Sequence, residues 1–157
     1  MASARLSENF GLDEFTLSQE AVRRGIDNSV EPGSETHKCL KRLCNEILEP
    51  LRAELGAPIR ITSGYRCPKL NVAIKGAPDS QHMSGQAADI VAGGKTPLQV
   101  CRAVKKLGLP YDQLIHEFGV WCHVSVAAEG AEPRQQDLTA AHGPKRITVY
   151  TSGLKSV

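Results

Sequence analysis

The 157-residue chain predicts an α+β fold, with N-terminal helices packed on a small, mainly antiparallel sheet. Three observations carry this. Apolar residues recur at helical spacing over 35–55, ending at Gly56. Short β-branched runs then follow, bounded by Gly and Pro, as strands are. The helical patterns cluster early and the strand patterns late, rather than alternating as in a parallel α/β sheet.

Each element has its reason. "LDEFTLSQEAVRR" (12–24) reads as short helical turns stopped near Gly25, and "DNSVEPGS" as a loop. Ser34 or Thr36 suits the N-cap of the helix over 35–55, because a short hydroxyl accepts from the first free amides. Leu40, Leu43, Ile47, Leu48, Leu51 and Leu55 form its apolar face. "PIRITSGYR" predicts a strand ending in a turn, and residues 67–85 a long polar loop. "AADIVA" predicts a buried strand. "TPLQVCRAVKKLG" predicts a helix capped by Thr96, with Pro97 first. "YDQLIHEF" and "WCHVSV" predict two strands joined tightly at Phe118, Gly119 and Val120, and "RITVY" a last strand at about 145–150. No repeat or second domain is evident, so one domain over 1–157 is expected.

Composition excludes several classes. The net charge is +2, which gives no basic footprint for nucleic acid. No apolar run approaches the ~20 residues that span a bilayer, so no membrane insertion is expected. "MASARLSENFGL" lacks the apolar segment of a secretory signal, which predicts synthesis in the cytoplasm without a signal peptide. The five cysteines, an odd number with no CxxC pair, read as buried small apolar residues rather than a disulfide framework. His37 and His142 read as solvent-exposed.

The chemistry concentrates in "SQHMSGQAADI" and "WCHVSV". Alternation along a strand puts Trp121, His123 and Ser125 on one face and Cys122, Val124 and Val126 on the other. Ile115 and Glu117 share a face on the preceding strand, with His116 opposite, so a tight hairpin brings Glu117 toward His123. A lone strand histidine is more often a satisfied core residue, and a lone aspartate often caps a turn or pairs with arginine. Asp89, however, sits among apolar neighbours and needs a positive charge. His82, Asp89 and His123 make a sufficient ligand set for a catalytic zinc with one position open. Zinc lowers the pKa of bound water to about 7, and Glu117 is placed to take the proton. Gly85 suits a sharp return between His82 and the strand. HExxH is absent, and Cys122 and His123 point apart, which disfavours a thiol nucleophile.

"SQHMSGQAADI" resembles the Ser-x-His-x-x-Gly-x-Ala-x-Asp signature of the M15 zinc peptidases. These are D-Ala-D-Ala carboxypeptidases and peptidoglycan endopeptidases, many of them phage-encoded. "ITSGYRCPKLNVAIKGAPDSQH" is similar to the segment leading to the first zinc histidine, and "YDQLIHEFGVWCHVSV" to the segment whose Trp-x-His supplies the last ligand. "EFTLSQEAVRRGIDN" resembles the phage-type branch. The likeness covers about residues 9–126.

The resemblance implies a fold like that of the hedgehog signalling domain and the D-Ala-D-Ala peptidases. It implies one zinc ion held by His82, Asp89 and His123, and Arg66 on the substrate carboxylate. A guanidinium fork suits a carboxylate through two parallel bonds. Ser80 is a second substrate-binding candidate, or a turn former. Several branches place the acidic base three residues before the last histidine. That position is Val120 here, and Glu117, six before His123, is the candidate base, with His116 the runner-up.

The implied partner is a peptidoglycan stem peptide. The implied setting is phage or prophage lysis or remodelling of the bacterial cell wall, after release or delivery, by a monomer. The alternative is a non-catalytic, zinc-containing wall-binding or virion module on the same fold.

Overall fold

The computed structural model describes residues 4–157 and is α+β, as expected. The expectation drawn from the N-terminal dozen residues concerns, at 1–3, positions outside the described ones. The helices are α1 (Leu12–Thr16), α2 (Gln19–Arg24), α3 (Glu35–Leu43), α4 (Glu49–Leu55), α5 (Pro68–Ala73) and α6 (Pro97–Lys106). The strands are β1 (Ile59–Ser63), β2 (Ala87–Ala92), β3 (Tyr111–Glu117), β4 (Trp121–Val126), β5 (Gln136–His142) and β6 (Thr148–Ser152). They form a single sheet in the order β1-β2-β4-β3-β5-β6. Every neighbouring pair is antiparallel except β3 with β5, so the sheet is mixed.

Residues 35–55 are helical throughout, but not uniformly so. A π turn, Cys44–Leu48, joins α3 to α4, and Glu49 N donates to Cys44 O. The cause is Pro50, which has no N–H and whose ring crowds a preceding carbonyl. One wider turn lets the helix pass the proline without breaking. Ser34 caps its start, accepting from His37 N, and Gly56 ends it in the left-handed region.

Helices α3 and α6 pack on one face of the sheet, and α4 packs against α6. Leu40, Leu43, Ile47, Leu48 and Leu51 meet Ile90, Val100, Leu114, Cys122 and Val124 in one core. Each such burial removes apolar surface worth about 2 kcal/mol per side chain. Among the described residues, no helix is long and apolar enough to cross a membrane.

Several expectations need correction. Residues 67–85 are not one loop. Pro68–Ala73 is helical, because Cys67 Sγ accepts from Leu70 N at its start and Leu70 is buried beneath it. Gln81–Ser84 is a 3₁₀ turn capped by Ser80. The last strand lies at Thr148–Ser152 rather than 145–150, and Pro144–Arg146 is a separate turn. Strand β5 has no strong alternation in its sequence. It forms because β3 offers a free edge, on which Thr139 and Ala140 are buried.

His37 is buried, not exposed; its Nδ1 accepts from Gly33 N, and burial lowers its pKa. His142 is exposed. Cys44, Cys101 and Cys122 are buried, while Cys39 and Cys67 are partly exposed, and none is in a disulfide.

Candidate metal centre and cleft

The face of the sheet away from the helices carries the polar groups. Register puts Asp89 opposite His123 and Ile115 opposite His123. Directly paired residues project to the same face, so Asp89 and His123 meet side by side. His82 arrives from the 3₁₀ turn, which Gly85 ends at φ 75°. A Cβ on Gly85 would lie 2.6 Å from Thr36 O, so the turn packs directly on α3. Gly85 thus serves as a sharp return and as a close approach.

His82, Asp89 and His123 are all buried and form a compact donor set. His123 Nδ1 lies 2.9 Å from Asp89 Oδ1 and 3.3 Å from His82 Nε2, and His82 Nε2 lies 3.4 Å from Asp89 Oδ1. Ligands about 2.0–2.1 Å from a tetrahedral zinc are separated by about 3.3 Å, so this triangle has the size of one face of such a site. His82 Nδ1 lies 2.7 Å from Gly64 O. A carbonyl only accepts, so Nδ1 holds the proton and Nε2 turns its lone pair to the other donors. Gly64 is required there: a Cβ would lie 2.6 Å from Phe15 Cα. Burial pushes the Asp89 carboxyl upward in pKa, but His82 and His123 outweigh it and hold it low. The anionic carboxylate is therefore favoured at neutral pH.

Arg66 follows β1 and is partly buried. Its backbone N donates to His82 O, at 3.1 Å, and its Nη2 donates to Ser80 Oγ, at 3.0 Å. Ser80 Oγ also accepts from His82 N. Ser80 thus shapes the turn and orients the guanidinium. Burial lowers the Arg66 pKa, while Asp89 and Glu117 oppose that shift. Arg66 Nε and His123 Nε2 are buried without a partner among the described residues. Buried donors of this kind call for an occupant. A cavity of about 540 Å³ opens beside Arg66, between β1 and the α1–α2 junction.

Glu117 stands opposite Trp121 at the end of the β3–β4 hairpin, where Phe118 and Gly119 both have positive φ. Its Oε1 is 3.9 Å from His123 Nδ1, and its Oε2 accepts from Trp121 Nε1 at 3.0 Å. Burial raises the Glu117 pKa, and the Asp89 charge adds to it, against His123, Trp121 and Arg66. His116 is on the opposite face, paired with Cys122, and its Nδ1 is bound to Lys155 O. Contacts thus link the sequence-predicted residues around the His82–Asp89–His123 cluster, except His116, the runner-up base, which lies on the opposite face.

The family model described as Peptidase M15 matches residues 8–125. The chain belongs to the peptidase M15 family. M15 peptidases are typically zinc-dependent, and the donor set here fits that metal. A search of curated proteins found no match.

Sequence reasoning missed three supports of this M15 site. Asn28, buried in what reads as a plain loop, donates to Thr16 O and Tyr65 O and accepts from Cys67 N, fixing the segment that carries Arg66. Gly64 supplies the carbonyl for His82. Buried Asp112 accepts from Gln81, beside His82, and from Arg134 through its backbone and guanidinium. Asn28 flanked by Asp27 and Ser29 signals only a turn, and no local pattern links Asp112 to Gln81.

Proposed function

We propose that the chain is a zinc peptidase that hydrolyses a bond in peptidoglycan stem peptides, as a carboxypeptidase or an endopeptidase. The observation that carries this reading is the buried His82–Asp89–His123 triangle with Glu117 beside it and Arg66 bonded to the turn that carries His82. His82 through Nε2, Asp89 through Oδ1 and His123 through Nδ1 would hold one ion. Zinc, when bound, supplies Lewis-acid polarisation of the scissile carbonyl and activation of water.

The remaining steps belong to the chain's own side chains. Arg66, its Nη2 held by Ser80, binds a substrate carboxylate and fixes the peptide's direction. Stem peptides carry such carboxylates, which supports this substrate class. Glu117 accepts the proton of the attacking water on its carboxylate and delivers it to the leaving amine as the C–N bond breaks. Its pKa, raised by burial and by the Asp89 charge, makes it a stronger base for the first transfer. Trp121 Nε1 fixes one carboxylate oxygen, so Oε1 is directed at the reacting centre.

The test is mass spectrometry of purified peptidoglycan incubated with the zinc-loaded protein, with and without chelator. Chelator-sensitive fragments are expected, and their masses name the bond. No fragments from protein that contains zinc would overturn the peptidase reading and leave a wall-binding module.

A further inference from the structure

The matched family region ends at residue 125, yet the sheet continues through β5 and β6. These strands extend the open face beyond Glu117. Register aligns Trp121, Glu117, Ala140 and Tyr150 in one row across β4, β3, β5 and β6. Residues paired across a sheet project to one face, so Tyr150 stands on the face of the metal centre. Adjacent strands are about 4.8 Å apart, so Tyr150 is rooted about 10 Å from Glu117, within the combined reach of the two side chains.

Ala140, between them, carries only a methyl group and is nonetheless fully buried. The Tyr150 pKa is raised by burial and then by the charges of Glu117 and Asp89, in keeping with a ring that leans inward. The same two carboxylates act on Arg66 from the β1 side. Tyr150 is still 56% exposed, and its hydroxyl makes no hydrogen bond among the described residues.

We infer that Tyr150 is a substrate-contacting residue, forming the wall of the cleft opposite Arg66. The inference rests on the proposed peptidase reading and extends it. A peptide with its carboxylate on Arg66 and its reacting carbonyl at the centre continues, on the other side of the scissile bond, toward β6. There the ring offers a packing surface and the hydroxyl a donor to a peptide carbonyl. The C-terminal hairpin thereby selects for substrates that extend beyond the scissile bond.

The test compares wild type, Tyr150→Phe and Tyr150→Ala on the stem pentapeptide L-Ala-γ-D-Glu-L-Lys-D-Ala-D-Ala. Trp121, the chain's one tryptophan and a partner of Glu117, gives a second readout by fluorescence titration of chelator-treated protein with the same peptide. Expected are a KM and a fluorescence Kd raised about fivefold by Tyr150→Phe and about twentyfold by Tyr150→Ala, from loss of one hydrogen bond and then of the ring. Both variants should keep kcat within about threefold and the wild-type zinc content, since binding is the only step Tyr150 touches. Wild-type cleavage with KM and Kd unchanged in both variants would overturn the Tyr150 assignment alone. Absence of cleavage by wild type of both this peptide and purified peptidoglycan would overturn the peptidase reading, and this inference with it.

Discussion

On β2, Ile90 and Asp89 are neighbours in the chain and opposites in environment. Ile90 is fully buried under the helices in the apolar core. Asp89 is also buried, but its carboxylate meets two imidazoles. The pattern repeats on β3, where Leu114 faces the helices and Glu117 the cleft, and on β4 with Cys122 and His123. One face of the sheet thus holds the fold together, and the other collects groups that are costly to bury. The difference teaches that stability and function occupy alternate residues of the same strands. Substitutions one position apart should therefore fail in different ways.

Asp89→Ala gives the sharpest contrast. It removes the charged member of the proposed ligand set, so activity should fall below detection, while the metal-free protein keeps its melting temperature within a few degrees. Thermal melts in chelator alongside peptidoglycan digestion check this; a wild-type rate in the variant would break the assignment of function to this face. Glu117→Gln should lower kcat by about 10²–10⁴-fold, the range for a general base, with zinc content unchanged. Single-turnover kinetics with metal analysis separate it from a ligand loss.

Leu114→Ala, on the helix face, should cost about 2–5 kcal/mol of stability, as buried leucine deletions do. Urea unfolding measures that cost, and the remaining folded protein should keep the wild-type zinc stoichiometry.

Asp112→Asn should cost about 1–3 kcal/mol by weakening bonds to a buried charge. Its pH dependence has a definite sign. Burial pushes the Asp112 carboxyl up, but the bonds from Arg134 and Gln81 hold it below its ordinary value in the folded protein. Its contribution is therefore complete above the unfolded value of about 3.9 and is lost as pH falls through the lower folded value. Between wild type and Asp112→Asn, the stability difference should shrink below about pH 4, as acid urea titrations would measure.

How much of this was legible in the sequence follows the range of the interactions. The alternation of "AADIVA" and "WCHVSV" fixes which residues share a face, and Asp89 and His123 prove to be register partners. The hairpin at Phe118–Val120 is short enough to bring Glu117 near His123. Arg66 was reached through the family motif, since nothing local distinguishes it from a surface arginine. What escaped depends on distant partners. Strand β5 borrows its order from the β3 edge, and His37 is buried by its surroundings. Asp112 ties Gln81 to Arg134 across more than fifty residues of chain. Tyr150 joins the row of Glu117 only because the parallel β3–β5 pairing places β6 beside it. The π turn at Cys44–Leu48 has a local cause, Pro50, which a helical pattern of leucines conceals.

The most direct measurement is calorimetric titration of zinc into the metal-free protein, beside a His123→Ala variant. The account predicts one ion per chain for wild type and loss of that high-affinity site in the variant. No binding by folded wild type, or undiminished binding by His123→Ala, would contradict a metal centre built from His82, Asp89 and His123.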